Sequence, residues 1–395
     1  MRKFVKKNVL AYCFFDFGLS SFPTLILTFF YGAYYTRIIS IDPIIGASYW
    51  GYMISLSSFL SLIFFFIILT NNEKKNKANF FKFFFSTIIG SCTLLIFFKE
   101  GSNIIFPLIL VSIGFISFEV LNFFYNVSLS NVSKFYNIGF ISNLGWAFGY
   151  LGGLASLAIV LVILNFTDNE RLLSLIGPFV GIWTYLFCKE YLKISDKVIL
   201  VSLSIKVFFK KILQKKILNF ILSFFFFQNA VVCTFIFSGI YASQILNFSE
   251  SEILMLGIFV NLFGIFGCLI LGYLETKFET KDILKISLLF LTILSFTLLS
   301  FSNHHIFWSV ALFIGFFIGP LQASSRAFLS KEIKNEEQYS GFAFYSALGN
   351  FCSIVGPFVI SKVLILTNSL NISLFLIPTY FLLGFLFFLR IRTNV

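Results

Sequence analysis

Twelve apolar stretches, each long enough to cross a membrane as a helix, constrain the fold of this 395-residue chain more than any other feature. About 20 mostly apolar helical residues span the hydrocarbon core of a bilayer, which is about 30 Å thick. The stretches cover residues 9–37, 47–70, 79–98, 103–127, 136–164, 171–192, 217–245, 252–274, 282–301, 305–329, 338–366 and 370–390. The sequence therefore predicts an all-α polytopic membrane protein with twelve transmembrane helices.

The composition excludes most soluble classes of protein. Hydrophobic residues make up 58% of the chain and charged residues 12%, against about 45–50% and about 25% in an ordinary globular domain. The sequence contains no phosphate-binding loop, serine nucleophile elbow or zinc-binding helix motif. Its six cysteines are too far apart for a zinc or redox motif. We therefore expect neither an enzyme nor a metal site, and no cofactor.

The basic residues predict the topology. If both termini are cytoplasmic, 25 of the 29 Lys and Arg residues lie on or beside the inner side of the membrane, as the positive-inside rule requires. This explains the net charge of +12 without nucleic-acid binding. The composition, rich in Phe, Asn and Lys, is typical of an AT-rich bacterial genome. We expect a multi-pass monomer in the lipid bilayer of a bacterial inner membrane, with a small-molecule substrate.

The longest link divides the chain into an N-terminal half, residues 1–192, and a C-terminal half, residues 217–395. The link itself, residues 193–216, is basic. Its second part places apolar residues at helical spacing opposite several lysines. This pattern predicts an amphipathic helix on the cytoplasmic surface of the membrane.

Two six-helix halves joined by a basic link resemble the major facilitator fold. The segment Gly272-Tyr-Leu-Glu-Thr-Lys-Phe-Glu-Thr-Lys281 resembles the signature loop of that superfamily, with Thr276 and Glu279 in place of its Asp and Gly. Other strings resemble the fungal autophagy-related vacuolar amino-acid effluxers and their bacterial relatives. They include Phe15-Asp-Phe-Gly-Leu-Ser-Ser-Phe22, Phe124-Tyr-Asn126, Leu144-Gly-Trp-Ala-Phe-Gly-Tyr-Leu-Gly-Gly153 and Gln322-Ala-Ser-Ser-Arg326. Asn229 and Asn350 replace an Asp and a Lys that are common in that family.

The resemblance implies a secondary active transporter that moves a small solute, an amino acid by family analogy, through alternating access. Proton coupling is one candidate for its driving force. The alternative is a non-transporting membrane protein, such as a scaffold or a sensor, on the same fold. The departures from the family strings favour this alternative, whereas acids retained inside the predicted helices favour transport.

Asp16 and Glu119 are those acids, because the other fifteen lie in links or near predicted helix ends. An ionised residue within a spanning helix costs at least about 2.5–3.5 kcal/mol on insertion scales and so is a functional candidate. Either carboxyl group could exchange a proton as its surroundings alternate between water and closure. Either could instead bind the ammonium group of an amino acid, or form a structural hydrogen bond.

Further candidates are polar or small residues within the predicted helices. Arg326 is either an inner gate that pairs with an acid or a cation at a helix C-terminus near the membrane surface. Uncharged candidates for the cavity wall, which could also hold neighbouring helices together, are Asn126, Asn229 and Gln322. Small residues permit close helix approach, and the candidates for this packing role are Gly145, Gly149, Gly152 and Gly153.

Overall fold

A computed structural model describes residues 2–70, 74–98, 103–132, 138–165, 174–198, 215–275, 277–300, 304–332 and 338–391. Residues 199–214 are not among them. The predicted amphipathic helix in the link between the halves therefore lies outside the described residues.

The described residues form twelve long helices, one in each predicted stretch. Helix α1 comprises Arg2–Leu19 and its continuation through Phe22–Phe29, Tyr31–Tyr34 and Tyr35–Ile39. The others are α2 (Pro43–Thr70), α3 (Lys74–Leu94), α4 (Ile105–Val132), α5 (Ile138–Asn165), α6 (Ile176–Val198), α7 (Lys215–Gln244), α8 (Glu250–Leu274), α9 (Thr280–Ser300), α10 (His304–Glu332), α11 (Gln338–Thr367) and α12 (Leu370–Leu374 with Leu376–Leu389). Eleven of these segments are long and apolar enough to cross a membrane. The twelfth, α6, is not counted among these segments, and it contains Lys189 and Glu190.

Helix α1 changes its hydrogen-bond pattern midway. Beyond Leu19 it becomes a π-helix over Phe22–Phe29. Pro23 lies at the start of this segment, where its missing N–H removes a donor from the regular α-helical pattern. π-helical turns are rare and frequently occur at functional sites. The irregular segment of α1 contributes to the central cavity described below.

The packing of the two six-helix halves repeats. Within the first half, α1 packs on α5 and α6, α2 packs on α4, and α3 packs on α4 and α6. Within the second half, α7 packs on α11 and α12, α8 packs on α10, and α9 packs on α10 and α12. Each contact in one half therefore has a counterpart six helices later. The contacts between the halves correspond in the same way. Helix α2 packs on α11, and their counterparts in the opposite halves, α8 and α5, pack on each other.

The halves also meet at the C-terminal ends of α1 and α7. We call this end of the helix bundle the far side. Arg37 Nη1 donates to the Phe248 carbonyl at 3.3 Å, and Gln244 Nε2 donates to the Pro43 carbonyl at 3.1 Å. Deeper in the membrane, a Cβ atom at Gly239 would collide with the Thr28 carbonyl. Glycine is therefore needed for α1 and α7 to approach so closely, and the two halves are in contact on the far side.

Candidate functional site

A cavity of about 290 Å³ lies between the two halves. Helices α1, α4 and α5, with Phe65 of α2, supply its wall on one side, and α7, α8, α10 and α11 supply it on the other. Five of the polar and charged candidates predicted from the sequence line it together, although they lie on three different helices. They are Asp16, Glu119, Asn126, Gln322 and Arg326.

Asp16 accepts two hydrogen bonds at the wall of this cavity. Tyr125, on α4, donates its hydroxyl to Asp16 Oδ2 at 3.2 Å, and Ser20, one turn further along α1, donates to Oδ1 at 3.4 Å. Gly149 leaves the space for this carboxyl group, because a Cβ atom there would lie 2.9 Å from Asp16 Oδ2. The carboxyl group is half-buried, and it can still accept a hydrogen bond from a bound molecule.

Glu119 is bonded across the boundary between the halves. Asn350 Nδ2, on α11, donates to Glu119 Oε2, on α4, at 3.1 Å. Asn350 is almost fully buried, whereas Glu119 is half-buried and faces the cavity. The partner of this carboxyl group is a neutral amide. This hydrogen bond therefore places no positive charge beside an ionised Glu119.

Arg326 also joins the halves. Its Nη1 donates to Asn126 Oδ1 on α4 at 3.0 Å, and its guanidinium carbon lies 5.4 Å from the centre of the Trp146 ring on α5. The residue is only 4% exposed. The alternative of a surface cation at a helix C-terminus is wrong, because α10 continues to Glu332 and Arg326 is buried at the cavity.

The guanidinium group of Arg326 keeps free donors. Among the described residues, its Nε and Nη2 atoms have no hydrogen-bond partner. Arg326 and Asp16 line the same cavity. The cavity therefore presents one cation with unused donors from the C-terminal half and two half-buried carboxyl groups, Asp16 and Glu119, from the N-terminal half.

Gln322 belongs to a chain of neutral polar groups. Its Nε2 donates to Gln228 Oε1 on α7 at 2.6 Å, and Tyr345 on α11 donates its hydroxyl to Gln322 Oε1 at 3.5 Å. The Tyr345 hydroxyl also lies 2.6 Å from Ser325 Oγ. Gln228, Gln322 and Tyr345 all line the cavity. Their amide and phenol groups can each donate or accept a hydrogen bond with a neutral polar group of a ligand.

Asn229, which the sequence groups with the cavity candidates, is not among the residues that line the cavity. It is 1% exposed, and its Nδ2 donates to the Phe225 carbonyl of its own helix at 2.6 Å. A Cβ atom at Gly356 would lie 2.8 Å from Asn229 Oδ1. The described structure therefore places Asn229 at the contact between α7 and α11, which corrects its placement on the cavity wall.

The four glycines of α5 face other helices closely. A Cβ atom at Gly152 would collide with the Phe17 carbonyl of α1, and one at Gly145 would collide with the Tyr125 hydroxyl. At Gly153 it would lie 2.8 Å from Thr24 Oγ1. These glycines thus bring α1 against α5, and Gly145 and Gly149 also leave room for the bonded carboxyl and phenol groups of Asp16 and Tyr125.

Sequence reasoning missed several polar residues of the cavity. Tyr125, Gln228 and Asn261 line it, but an uncharged residue in an apolar stretch carries little signal about which helix face is buried. Tyr125 lies within the Phe-Tyr-Asn string, which was the one available signal. Within the described part of the chain, no group of three or more His, Cys, Asp or Glu residues could hold a metal ion.

A family model described as the Major Facilitator Superfamily matches residues 138–357. The uncharacterized transporter YxiO of Bacillus subtilis is 23% identical over 405 residues, which cover 97% of this chain and 94% of YxiO. The proton-coupled antiporter flippase LtaA of Staphylococcus aureus is 32% identical, but over 96 residues, 24% of each chain.

Solved structures of two transporters share the fold of the whole chain. The proton:xylose symporter XylE superposes with a TM-score of 0.69 at 12% identity, and the match covers 99% of this chain and 96% of XylE. The nucleoside transporter NupG superposes with a TM-score of 0.65 at 13% identity, covering 98% of this chain and 99% of NupG. At these identities the likeness concerns the fold.

Proposed function

Because this chain belongs to the major facilitator superfamily, whose members are secondary transporters, we propose that its substrate is an amino acid and that it moves this substrate by alternating access. The observation that carries the proposal is the pair of opposite charges, Asp16 and Arg326, on the wall of one cavity. An amino acid is a zwitterion and matches this pair.

The donors and acceptors fit the two ends of a zwitterion. The unused Nε and Nη2 atoms of Arg326 form the planar fork that binds a carboxylate with two parallel hydrogen bonds. Asp16 is half-exposed and is held in place by Tyr125 and Ser20, so its carboxylate can accept from an ammonium group. A sugar carries neither charge and would leave both groups unpaired.

Binding such a molecule also suits alternating access. Asp16 belongs to the first half and Arg326 to the second, so a bound zwitterion joins the two halves through its own charges. The halves already touch on the far side. Movement of one half relative to the other about the bound substrate would open that side and close the other.

We assign the proton-coupling role to Glu119. Its neutral partner Asn350 leaves a carboxyl group that can be ionised when water enters the cavity and neutral when water leaves. Asp16, by contrast, lines the same cavity as the Arg326 cation, so we assign it to the ammonium end of the substrate. The two acids therefore divide between proton coupling and substrate binding.

We also propose that the protein lies in a bacterial inner membrane as a monomer, with both termini and the link at residues 193–216 in the cytoplasm. The halves are then residues 1–192 and 217–395, as the sequence predicts. A reporter fused after Lys216 should be cytoplasmic, and one fused after His305 should be external. A reporter fused after Lys216 that is external would overturn this topology.

Counterflow in proteoliposomes tests the substrate. Vesicles loaded with one unlabelled amino acid at a time should take up the same labelled amino acid faster than vesicles loaded with a sugar. Asp16→Asn should abolish this exchange, whereas the exposed control Asp282→Asn should not. Absence of exchange with every amino acid by a folded wild-type protein would refute the proposal and favour a non-transporting scaffold or sensor.

A further inference from the structure

A second, apolar pocket of about 90 Å³ lies inside the C-terminal half. Helices α7, α8, α9, α10 and α12 line most of it, largely with leucine, isoleucine and phenylalanine side chains, and α1 and α5 of the first half close one side. Two hydroxyl groups on its wall are bonded within their own helices, since Thr234 donates to the Ala230 carbonyl and Ser295 to the Leu291 carbonyl. The interior of this pocket is therefore suited to hydrocarbon.

The apolar pocket adjoins the central cavity. Five residues belong to the walls of both, and they come from α1, α5, α7 and α8: Thr28, Phe29, Tyr150, Phe235 and Val260. The part of the central wall that α7 supplies is also apolar, with Val231, Val232 and Ile236 beside Phe235. A continuous apolar surface thus leads from the central cavity to the pocket.

Tyr150 lies at the boundary between the apolar pocket and the central cavity. It projects from α5 of the first half into a gap between two helices of the second half. A Cβ atom at Gly264 on α8 would lie 2.9 Å from Tyr150 Cε1, and one at Gly319 on α10 would lie 2.8 Å from the Tyr150 hydroxyl. That buried hydroxyl has no hydrogen-bond partner among the described residues, so no specific bond fixes the ring in this position.

The charged groups of Asp16 and Arg326 lie near the same boundary. Tyr150 directly follows Gly149, whose position adjoins the Asp16 carboxyl group. The ring of Tyr150 also packs at 5.9 Å on the ring of Trp146, on which the Arg326 guanidinium lies. The space beside Asp16 and Arg326 therefore adjoins Tyr150.

We propose that the apolar pocket is a second subsite of the transport site, that it receives the apolar side chain of the substrate, and that Tyr150 at its entrance limits the size of that side chain. This inference rests on the proposed amino-acid substrate. The pocket volume of about 90 Å³ is several times the roughly 10–15 Å³ that admits one water, which leaves room for an apolar side chain.

Variants that change the pocket without touching the charged groups test this assignment. Ala311 is buried and lines the apolar pocket but not the central cavity, so Ala311→Leu fills the subsite. Leu256→Ala enlarges it. Ala158→Leu is the matched control, because Ala158 on α5 is half-buried and lines neither cavity.

The measurement is competition by unlabelled alanine, leucine and phenylalanine against counterflow of labelled alanine in proteoliposomes. Leucine should compete with the wild type and with Ala158→Leu at a concentration at least about tenfold below that of alanine, since even one methylene group gives about this discrimination in an apolar pocket. Ala311→Leu should lose this preference and still exchange alanine. Leu256→Ala should shift the preference towards phenylalanine.

The outcomes separate this proposal from the one it rests on. Alanine exchange without a leucine preference, or a preference that Ala311→Leu leaves intact, would overturn the subsite and leave the amino-acid substrate standing. Absence of exchange with any amino acid would overturn both. If Ala311→Leu does not fold, an unchanged preference in Leu256→Ala overturns the subsite.

Discussion

Replacing Glu119 by Gln should uncouple transport from the proton gradient while leaving exchange largely intact. The amide cannot take up or release a proton, yet it keeps the length of the side chain and an oxygen that can accept from Asn350 Nδ2, now 3.1 Å from Glu119 Oε2. Accumulation of substrate driven by an imposed pH gradient should therefore fall to the level set by diffusion alone.

The effect on exchange follows from that hydrogen bond. A bond to an ionised group contributes about 1.5–3 kcal/mol and one between neutral groups about 0.5–1.5 kcal/mol. The Glu119→Gln change should thus weaken the contact between α4 and α11 by about 1 kcal/mol, or about fivefold in the equilibrium between joined and separated halves. Counterflow should change by no more than about this factor, in either direction.

The assay compares accumulation and counterflow in the same proteoliposomes. Glu250→Gln is the matched control, since Glu250 lies in the first turn of α8 and does not line the cavity. Asn350→Ala removes the donor but keeps the carboxyl group, so it should retain accumulation driven by the gradient. Wild-type accumulation by Glu119→Gln would refute the assignment of the coupling proton to this residue.

Three further predictions concern the site and its support. Tyr125→Phe removes the hydroxyl that donates to Asp16 and should weaken substrate binding by about 3–10-fold, as the loss of one hydrogen bond of about 1 kcal/mol implies, measured as the counterflow half-saturation concentration. Gly152→Ala forces a Cβ atom into the backbone of α1 and should lower the melting temperature by several degrees, whereas Gly90→Ala, with nothing within 4 Å of the added atom, should not. Arg326→Lys keeps the charge but loses the planar fork, so exchange should fall at least tenfold with an unchanged melting temperature.

The helices could be predicted because the signal for a membrane span is local. A run of about 20 apolar residues spans the bilayer wherever it lies in the chain, and each of the twelve predicted stretches contains a long helix among its described residues. The π-helical segment Phe22–Phe29 was not predicted, because its hydrogen-bond pattern depends on how α1 packs against its neighbours.

The partners within the site could not be predicted in the same way. Glu119 and Asn350 are 231 residues apart in the sequence, and Arg326 and Asn126 are 200 apart. An acid inside a spanning helix is conspicuous because its burial is costly, so Asp16 and Glu119 stand out from the sequence. Which neutral amide faces them depends on the rotation of each helix, which is why Asn229 was placed on the cavity wall and Asn350 was not.

Arg326 illustrates a second limit. The sequence places it near the end of a predicted span at residues 305–329, because Lys331 and Glu332 follow. The helix nevertheless continues to Glu332, and the extra turn places Arg326 in the interior. The position of a charge relative to the membrane surface depends on the true end of the helix, which polarity alone locates only to within several residues.

The measurement that tests the central claim most directly is the binding of an amino acid compared with its decarboxylated amine and its deaminated acid. With the wild type, each analogue should bind about tenfold to a hundredfold more weakly than the amino acid, because each loses a charge-assisted bond of about 1.5–3 kcal/mol. Arg326→Gln should no longer distinguish the amino acid from its amine, and Asp16→Asn should no longer distinguish it from its acid. Equal binding of all three compounds by the wild type, or full discrimination by both variants, would contradict recognition of a zwitterion between Asp16 and Arg326.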